Sequence, residues 1–502
     1  MLFKVKQILG TPLFATIISV IVIIGAFAMF FASANMLYVL ILVVPLVLLS
    51  LISDYRHLFY LLIFLLPFSI PIRVEEINLN INFPSEAFIG LLSFVSLVLF
   101  FFQNGNSKIV KHPMSLLLFI YWLILVVSFI FSSMPMVSFK SLLVASCYLL
   151  VFYYLIAYYL ITNEWKVKKL FFLYAFSLLL IVLFTIWKHS FYGFSKTYSG
   201  QIVLPFFSDH TIYGACLSFM VPVVTVLYLR ADKLKLNFPT KIIFLVCIFV
   251  FLIGIYLSHS RATWISLLSM PLMLIILKLK ISFKSLIGIG VVIIILALLN
   301  IELLEPMFLK NKNDSKAKRA NLEEQIRSVT NVKNDVSNSE RVNRWLCAYR
   351  MFKEKPFTGY GIGTYQFKYI PFQKGSEMTQ ISITSPKNNH SQGMGGTAHS
   401  EYLLALSESG IFASLLFILL FFYSMFLGMK LYYTASDTIK YYALMIMMGL
   451  LTYFIHGVFN NFLTTDKASF LVWGGLATLC ALEIKHKREL SGTIDKVDYE
   501  KN

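Results

Sequence analysis

Apolar runs of about 20 residues, nearly free of charge, recur along most of this 502-residue chain. Wound as an α-helix, a run of that length crosses the roughly 30 Å hydrocarbon core of a bilayer. Lipid offers the backbone no water to bond, so each run must satisfy its own N–H and C=O groups, and a helix does so. Composition agrees: 58% of the residues are hydrophobic and 14% are charged, against roughly 25% charged in soluble domains. A water-soluble core could not absorb so many uninterrupted runs. The expected fold is an all-α polytopic membrane protein.

Fourteen candidate spans can be drawn, at 12–31, 35–52, 57–72, 86–102, 115–132, 141–161, 167–188, 211–229, 241–257, 262–278, 283–300, 402–428, 439–459 and 467–484. The weakest are 57–72, interrupted by Pro67 and Pro71, and 262–278, so the expectation is twelve to fourteen transmembrane helices. Residues 1–300 then form a bundle of about eleven spans, 301–400 a large loop, 401–485 the C-terminal spans and 486–502 a tail. Ala32-Ser33-Ala34 resembles a signal-peptidase site. The apolar run before it is too long for a signal peptide's core and more spans follow, so a retained first helix is expected.

The net charge of +18 raises nucleic acid as a partner, but its distribution points to membrane lipid instead. With both termini in the cytoplasm, the inner segments carry Lys4, Lys6, Arg56, Lys108, Lys111, Lys166, Lys168, Lys169, Arg230, Lys233, Lys235, Lys241, Lys278, Lys280, Lys284, Lys430, Lys440 and the basic tail from Lys485. The short outer segments hold only Arg73, Lys140, Lys188, Lys196, Arg261 and Lys467. This is the positive-inside pattern, and it sets the large loop outside the cell (inner or plasma) membrane. The five cysteines offer no paired extracytoplasmic set and no CxxC metal pattern. No DxD, HExxH or Walker sequence is present, so neither a metal nor another cofactor is expected.

The outer side is chemically the richer one. It holds Asp209-His210, Ser258-His259-Ser260-Arg261, the large loop, and His456 with Asn460, Asn461 and Asp466. In the loop, residues 310–338 are Asn/Lys-rich and read as a surface segment. Ser337 with Glu340 three residues later matches a capping box, and a helix is expected to run to about Lys355, before Pro356. Trp345, Tyr349 and Phe352 share one face of it, while Arg341 and Arg344 lie a turn apart on an adjoining face. The helix is thus expected to lie on the membrane or the bundle, presenting arginines. Gly359-Tyr360-Gly361-Ile362-Gly363 reads as a tight turn and not as a nucleotide fingerprint, because no strand–turn–helix unit surrounds it. Residues 375–396 are Ser/Gly/Asn-rich. Thr397-Ala398-His399-Ser400-Glu401 opens the next span, where the positive end of the helix dipole keeps a histidine neutral and fit to act as a base.

Several of these stretches together resemble the O-antigen ligase and O-antigen polymerase family. Ser260-Arg261-Ala262-Thr263-Trp264 resembles its SRxxW element. Ser339-Glu340-Arg341 with Trp345, then Pro356 and the glycine turn, resembles its loop motif. Ala398-His399-Ser400-Glu401-Tyr402-Leu403 with Glu408 and Gly410 is similar to its HNxYL…ExG element, and His456, Asn460 and Phe207 to Tyr213 fit too. The likeness covers roughly residues 200–475, with Ala262 where the family often has glycine and Ser400 where it often has asparagine.

The resemblance implies a metal-independent inverting glycosyltransferase of the C-type membrane fold. Such an enzyme moves glycan from undecaprenyl pyrophosphate to an acceptor glycan hydroxyl outside the membrane, in surface polysaccharide assembly. It assigns Arg261 and Arg341, helped by Arg344, to the leaving pyrophosphate and His399 to the acceptor hydroxyl, with Glu401, His210 and His456 as substrate contacts. Arginine suits that role because it stays charged and binds phosphate bidentately. Each residue also has a plainer reading. Arg261 is then an interfacial anchor, Arg341 a solvated helix residue, His399 a cap-region histidine, and His210 and His456 polar lining, while Glu401 either orients His399 or is a first-turn carboxylate that favours the helix N-terminus. Glu408, two turns into a span, is expected to pair inside the bundle. A flippase for the same lipid-linked sugar is the rival class. Against it, the sequence has no internal repeat, and its polar residues gather at one face. A non-catalytic scaffold would not need the arginine–histidine set.

Overall fold

The computed structural model describes residues 55–74, 79–102, 107–162, 166–299, 336–378 and 396–492. The expected spans at 12–31 and 35–52, the loop segment through residue 335, and residues 379–395 lie outside these.

The described chain is helical apart from one hairpin. Ten helices are long and apolar enough to cross a membrane: α2 (Ser85–Phe102), α3 (Pro113–Ile130), α4 (Pro135–Thr162), α5 (Val167–Ser190), α6 (His210–Leu229), α7 (Phe238–Ser258), α8 (Arg261–Lys278), α11 (Glu401–Thr434), α12 (Asp437–Phe459) and α13 (Asp466–Leu490). A shorter α1 (Tyr55–Leu65) precedes them, α9 (Phe283–Leu299) follows α8, and the loop contributes α10 (Val336–Glu354). The chain is an all-α polytopic membrane protein.

Local sequence sets where these helices begin. Proline at the first turn opens α3, α4 and α7, where its missing N–H costs no helical bond. Asp209 caps α6 by accepting from Thr211 N at 2.6 Å, Asn237 caps α7 and Ser400 caps α11. The expected span at 57–72 is helical only to Leu65. Past Pro67 the chain turns into β1 (Ile70–Val74), which pairs antiparallel with β2 (Leu79–Phe83), Ile70 opposite Phe83.

Helix α13 is buried along its whole apolar window, and α6 and α12 nearly so, whereas α2, α3, α7 and α8 turn most of theirs outward. Large apolar side chains such as Phe94, Leu116, Phe119, Phe249 and Leu268 are exposed on that outer ring. In water they would be a liability; facing lipid they are expected. Glycines let the inner helices meet closely. A Cβ on Gly449 of α12 would lie 2.8 Å from the Phe219 ring of α6, and one on Gly428 of α11 would lie 2.7 Å from Met447.

The two ends of the bundle are chemically distinct. One end gathers the residues expected outside: the hairpin, whose exit residue Ser85 donates to Asp466; Lys467, which donates to Ser69 O at 2.7 Å; and the loop. The other gathers those expected inside, centred on buried Glu483.

Helix α10 packs on the bundle against α11. It begins at Val336, upstream of the expected cap, and Glu340 pairs with Arg344 at 2.7 Å. The face packed on the bundle is not the aromatic one. Cys347, Ala348 and Met351 bury against Tyr360, Tyr365, Tyr369 and Ala398, while Tyr349 stays exposed. Small residues permit the closer approach. Trp345 takes part through its indole N–H, which donates to the His399 carbonyl at 3.1 Å.

Candidate active site at the loop end of the bundle

Several helix ends converge under α10. His210 opens α6, Arg261 opens α8, His399 immediately precedes the cap of α11, and His456 ends α12. The Arg341 guanidinium acts electrostatically on His210, His399 and His456, and Asp209 acts on the same three. Five of the seven candidate residues (Arg341, Arg344, His399, His210 and His456) therefore share one electrostatic neighbourhood. Arg261 stands at the same end of the bundle. Its helix packs on α6 so tightly that a Cβ on Gly214, one turn past His210, would meet Thr263 Oγ1 at 2.3 Å.

Arg344 is held rigidly. It is 4% exposed; Nε donates to Glu340 Oε1 at 2.7 Å, the guanidinium lies 4.0 Å over the Tyr369 ring, and the backbone closes in at Gly396, where a Cβ would stand 3.4 Å from the guanidinium. Burial opposes its charge, but Glu340 and Tyr369 outweigh burial and raise its pKa. Its Nη1 is buried with no hydrogen-bond partner. Arg341 is less enclosed, and its Nη1 reaches Asn338 Oδ1 at 3.3 Å.

His399 adopts a left-handed backbone conformation, φ +51°, which costs a non-glycine residue energy and is found where the surroundings over-determine it. The Trp345 hydrogen bond to its carbonyl is part of that restraint. Burial first, and then the positive charges of Arg341 and Arg344, push its imidazole down to about 4, against the opposing pull of Glu340 and Asp209. The ring is neutral at physiological pH, as the sequence predicts, but for different reasons. His399 lies outside the helix that Ser400 caps, and burial and arginine charge dominate. His259, after the end of α7, is also left-handed, and burial followed by Lys196, His189 and His210 lowers it to about 4.

His456 is fully buried with its ring against Phe462, and neither ring nitrogen has a hydrogen-bond partner. The buried Asn460 Nδ2, four residues on, is likewise unpartnered. Polar atoms left so in a native interior call for an explanation, and a ligand is one.

The two glutamates of α11 serve the fold. Glu401 Oε1 accepts from Tyr453 OH at 2.7 Å and from the backbone N–H groups of Phe462 and Leu463 at 2.6 and 2.9 Å. Of the two readings the sequence left open, its bonds thus go to the α12–α13 corner instead of to His399. Glu408 receives Gly363 N at 2.8 Å and Tyr365 N at 2.9 Å, so it pairs inside the bundle as expected. The glycine turn is built for that contact. Gly359, Gly361 and Gly363 all have positive φ, and a Cβ on Gly359 would lie 2.2 Å from the Glu408 backbone. Gly410, φ +82°, kinks α11 where Pro356 and Phe357 press on it.

Sequence reasoning missed Glu340, Tyr369 and Gly396 as the clamp on Arg344. The i,i+4 spacing of Glu340 and Arg344 carried a signal; Tyr369 and Gly396 carried none. Among the described residues, no three His, Cys, Asp or Glu side chains converge as metal ligands.

Residues 245–418 match the family model for O-antigen ligase, a stretch holding Arg261, Arg341, Arg344 and His399 but neither His210 nor His456. The chain has no significant match among curated proteins.

Proposed function

We propose, from the match of residues 245–418 to the O-antigen ligase family model, that the chain is an inverting, metal-independent glycosyltransferase of surface polysaccharide assembly. It takes a glycan from undecaprenyl pyrophosphate and transfers it to an acceptor glycan hydroxyl, on the outer side of the plasma (inner) membrane, with both termini cytoplasmic. A neutral His399 beside two arginines, at the end of the bundle that bears the loop, is the observation that carries this reading.

Each group has a physical task. Arg341 and Arg261 engage the donor's pyrophosphate, and Arg344 adds its buried donor. Guanidinium groups suit it because charge grows on the leaving oxygens as the anomeric bond breaks. His399 accepts the proton of the acceptor hydroxyl as that oxygen bonds to the anomeric carbon. The glycosidic C–O bond to pyrophosphate breaks, configuration inverts, and undecaprenyl pyrophosphate leaves. A histidine held near 4 is a weak base on its own. A bound pyrophosphate offsets Arg341 and Arg344, so His399 gains proton affinity when the donor is in place. His210 and His456 border the same volume as polar contacts, while Glu401 supports it from the α12–α13 corner.

Polymerase and ligase share this chemistry and differ in acceptor. Reconstitution with a defined undecaprenyl-pyrophosphate oligosaccharide tests the reading. Longer glycans establish a polymerase, and transfer only to another acceptor establishes a ligase. Movement of the lipid-linked sugar across the bilayer without any new glycosidic bond would overturn the proposal in favour of a flippase.

A further inference from the structure

Beside this cluster, and separate from it, a cavity of about 690 Å³ lies among α2, α3, α4, α11, α13 and the glycine turn, within the size range of small-ligand sites. None of Arg261, Arg341, Arg344 and His399 lines it. The partition is thin. Thr397 lines the cavity two residues before His399, and Tyr365 lines it while donating its hydroxyl to Arg344 O at 2.8 Å.

Two features of the wall point to a ligand. Tyr148 and Asn461 are among the lining residues, are 2% and 7% exposed, and each has a buried polar atom, the Tyr148 hydroxyl and Asn461 Oδ1, with no hydrogen-bond partner. Buried polar atoms are rarely left so unless something else satisfies them. The wall also presents the rings of Tyr121 and Trp473, 6.4 Å apart. Charge narrows the ligand class. Glu86, Glu401 and Glu408 face Lys140 as the one cation, so a pyrophosphate would be repelled. A hydrocarbon tail would leave Tyr148 and Asn461 unbonded. A saccharide has both an apolar face for aromatic rings and hydroxyls for the polar atoms.

We infer that this cavity is the acceptor subsite, binding the terminal sugars of the acceptor glycan and passing its reacting hydroxyl by Thr397 to His399. The inference rests on the glycosyl transfer proposed above. Inversion requires the acceptor oxygen and the leaving pyrophosphate on opposite sides of the anomeric carbon. A saccharide site lined by none of the arginines lets the acceptor approach apart from the pyrophosphate.

The test uses full-length protein in nanodiscs and, as probe, the lipid-free oligosaccharide released by mild acid from the source cells' own lipid-linked glycan. Titration calorimetry is expected to show binding to the wild type and about tenfold weaker binding to Tyr148→Phe plus Asn461→Ala. Excess inorganic pyrophosphate and Arg341→Ala should leave binding unchanged. No binding by the wild type, equal binding by the double variant, or displacement by pyrophosphate would each overturn the subsite. Transfer kinetics on the same preparations separate the two claims. An unchanged acceptor KM in an active double variant removes the subsite alone. A wild type that transfers glycan from no lipid-linked donor removes the proposed function, and the acceptor role with it.

Discussion

The two ends of this helical bundle both bury charge, and they treat it in opposite ways. At the end away from the loop, buried Glu483 has His112 Nε2 at 2.8 Å and the cations Lys430 at 2.8 Å and Lys487 at 3.3 Å. The Glu483 carboxylate is answered there by Lys430 and Lys487, while Arg488 Nε, further along α13, is buried without a hydrogen-bond partner. At the loop end, Arg344 Nη1, both His456 nitrogens and Asn460 Nδ2 are buried without hydrogen-bond partners, and His399 is kept neutral by burial and neighbouring arginines. The Glu483 cluster is complete in the protein alone. The loop-end cluster becomes complete when an anion arrives. Both ends are rich in charged and polar side chains, so such richness does not mark a site; a gathering of several unanswered polar atoms does.

That contrast can be broken by substitution. The largest effect is expected for His399→Ala, a loss of about 10²–10⁴-fold in transfer rate with donor binding retained. Full activity, measured as product per folded protein, would remove the base assignment. Next come Arg341→Lys and Arg261→Lys, which keep charge but lose the planar fork. A fall of about 10²-fold in kcat is expected, and wild-type kcat in either would return that arginine to a packing role. At the opposite end, Glu483→Ala leaves His112, Lys430 and Lys487 unanswered. The expected cost is about 3 kcal/mol of stability, the low end for a buried pair because both lysines reach solvent. Thermal denaturation should shift while kcat of the folded fraction holds; a kcat loss with unchanged melting would place catalysis at the wrong end. The smallest expected effect is that of EDTA. Activity should persist, and its loss with restoration by a divalent cation would contradict metal independence.

How much of this was legible beforehand follows from the physics of each feature. The spans announce themselves because exclusion of charge is local and accumulates over a window of residues. The glycine turn was legible as a turn, since positive φ is a property of the residue itself. Its docking onto Glu408 was not, because that contact spans 45 positions in sequence. The start of the β1–β2 hairpin was hidden at the end of an apolar run, where Pro67 and Pro71 only hinted at a break. Hydrophobic periodicity put Trp345, Tyr349 and Phe352 on one face of α10 and left membrane or bundle open, and Cys347, Ala348 and Met351 make the bundle contact. Beside a membrane, aromatic side chains have two apolar destinations, and small residues win where helices must come close. The candidate set itself came through family resemblance. Spacing alone linked only Arg341 to Arg344, and gathering Arg341, His210, His399 and His456 takes the fold.

The most direct measurement is the titration of His399 by NMR in selectively labelled protein, with and without undecaprenyl pyrophosphate. The free protein should show an apparent pKa near 4, below the ordinary histidine value of about 6.5. Bound pyrophosphate should raise it by about one unit or more as it offsets Arg341 and Arg344. A His399 that titrates normally in the free protein, or that ignores the bound pyrophosphate, would contradict the account.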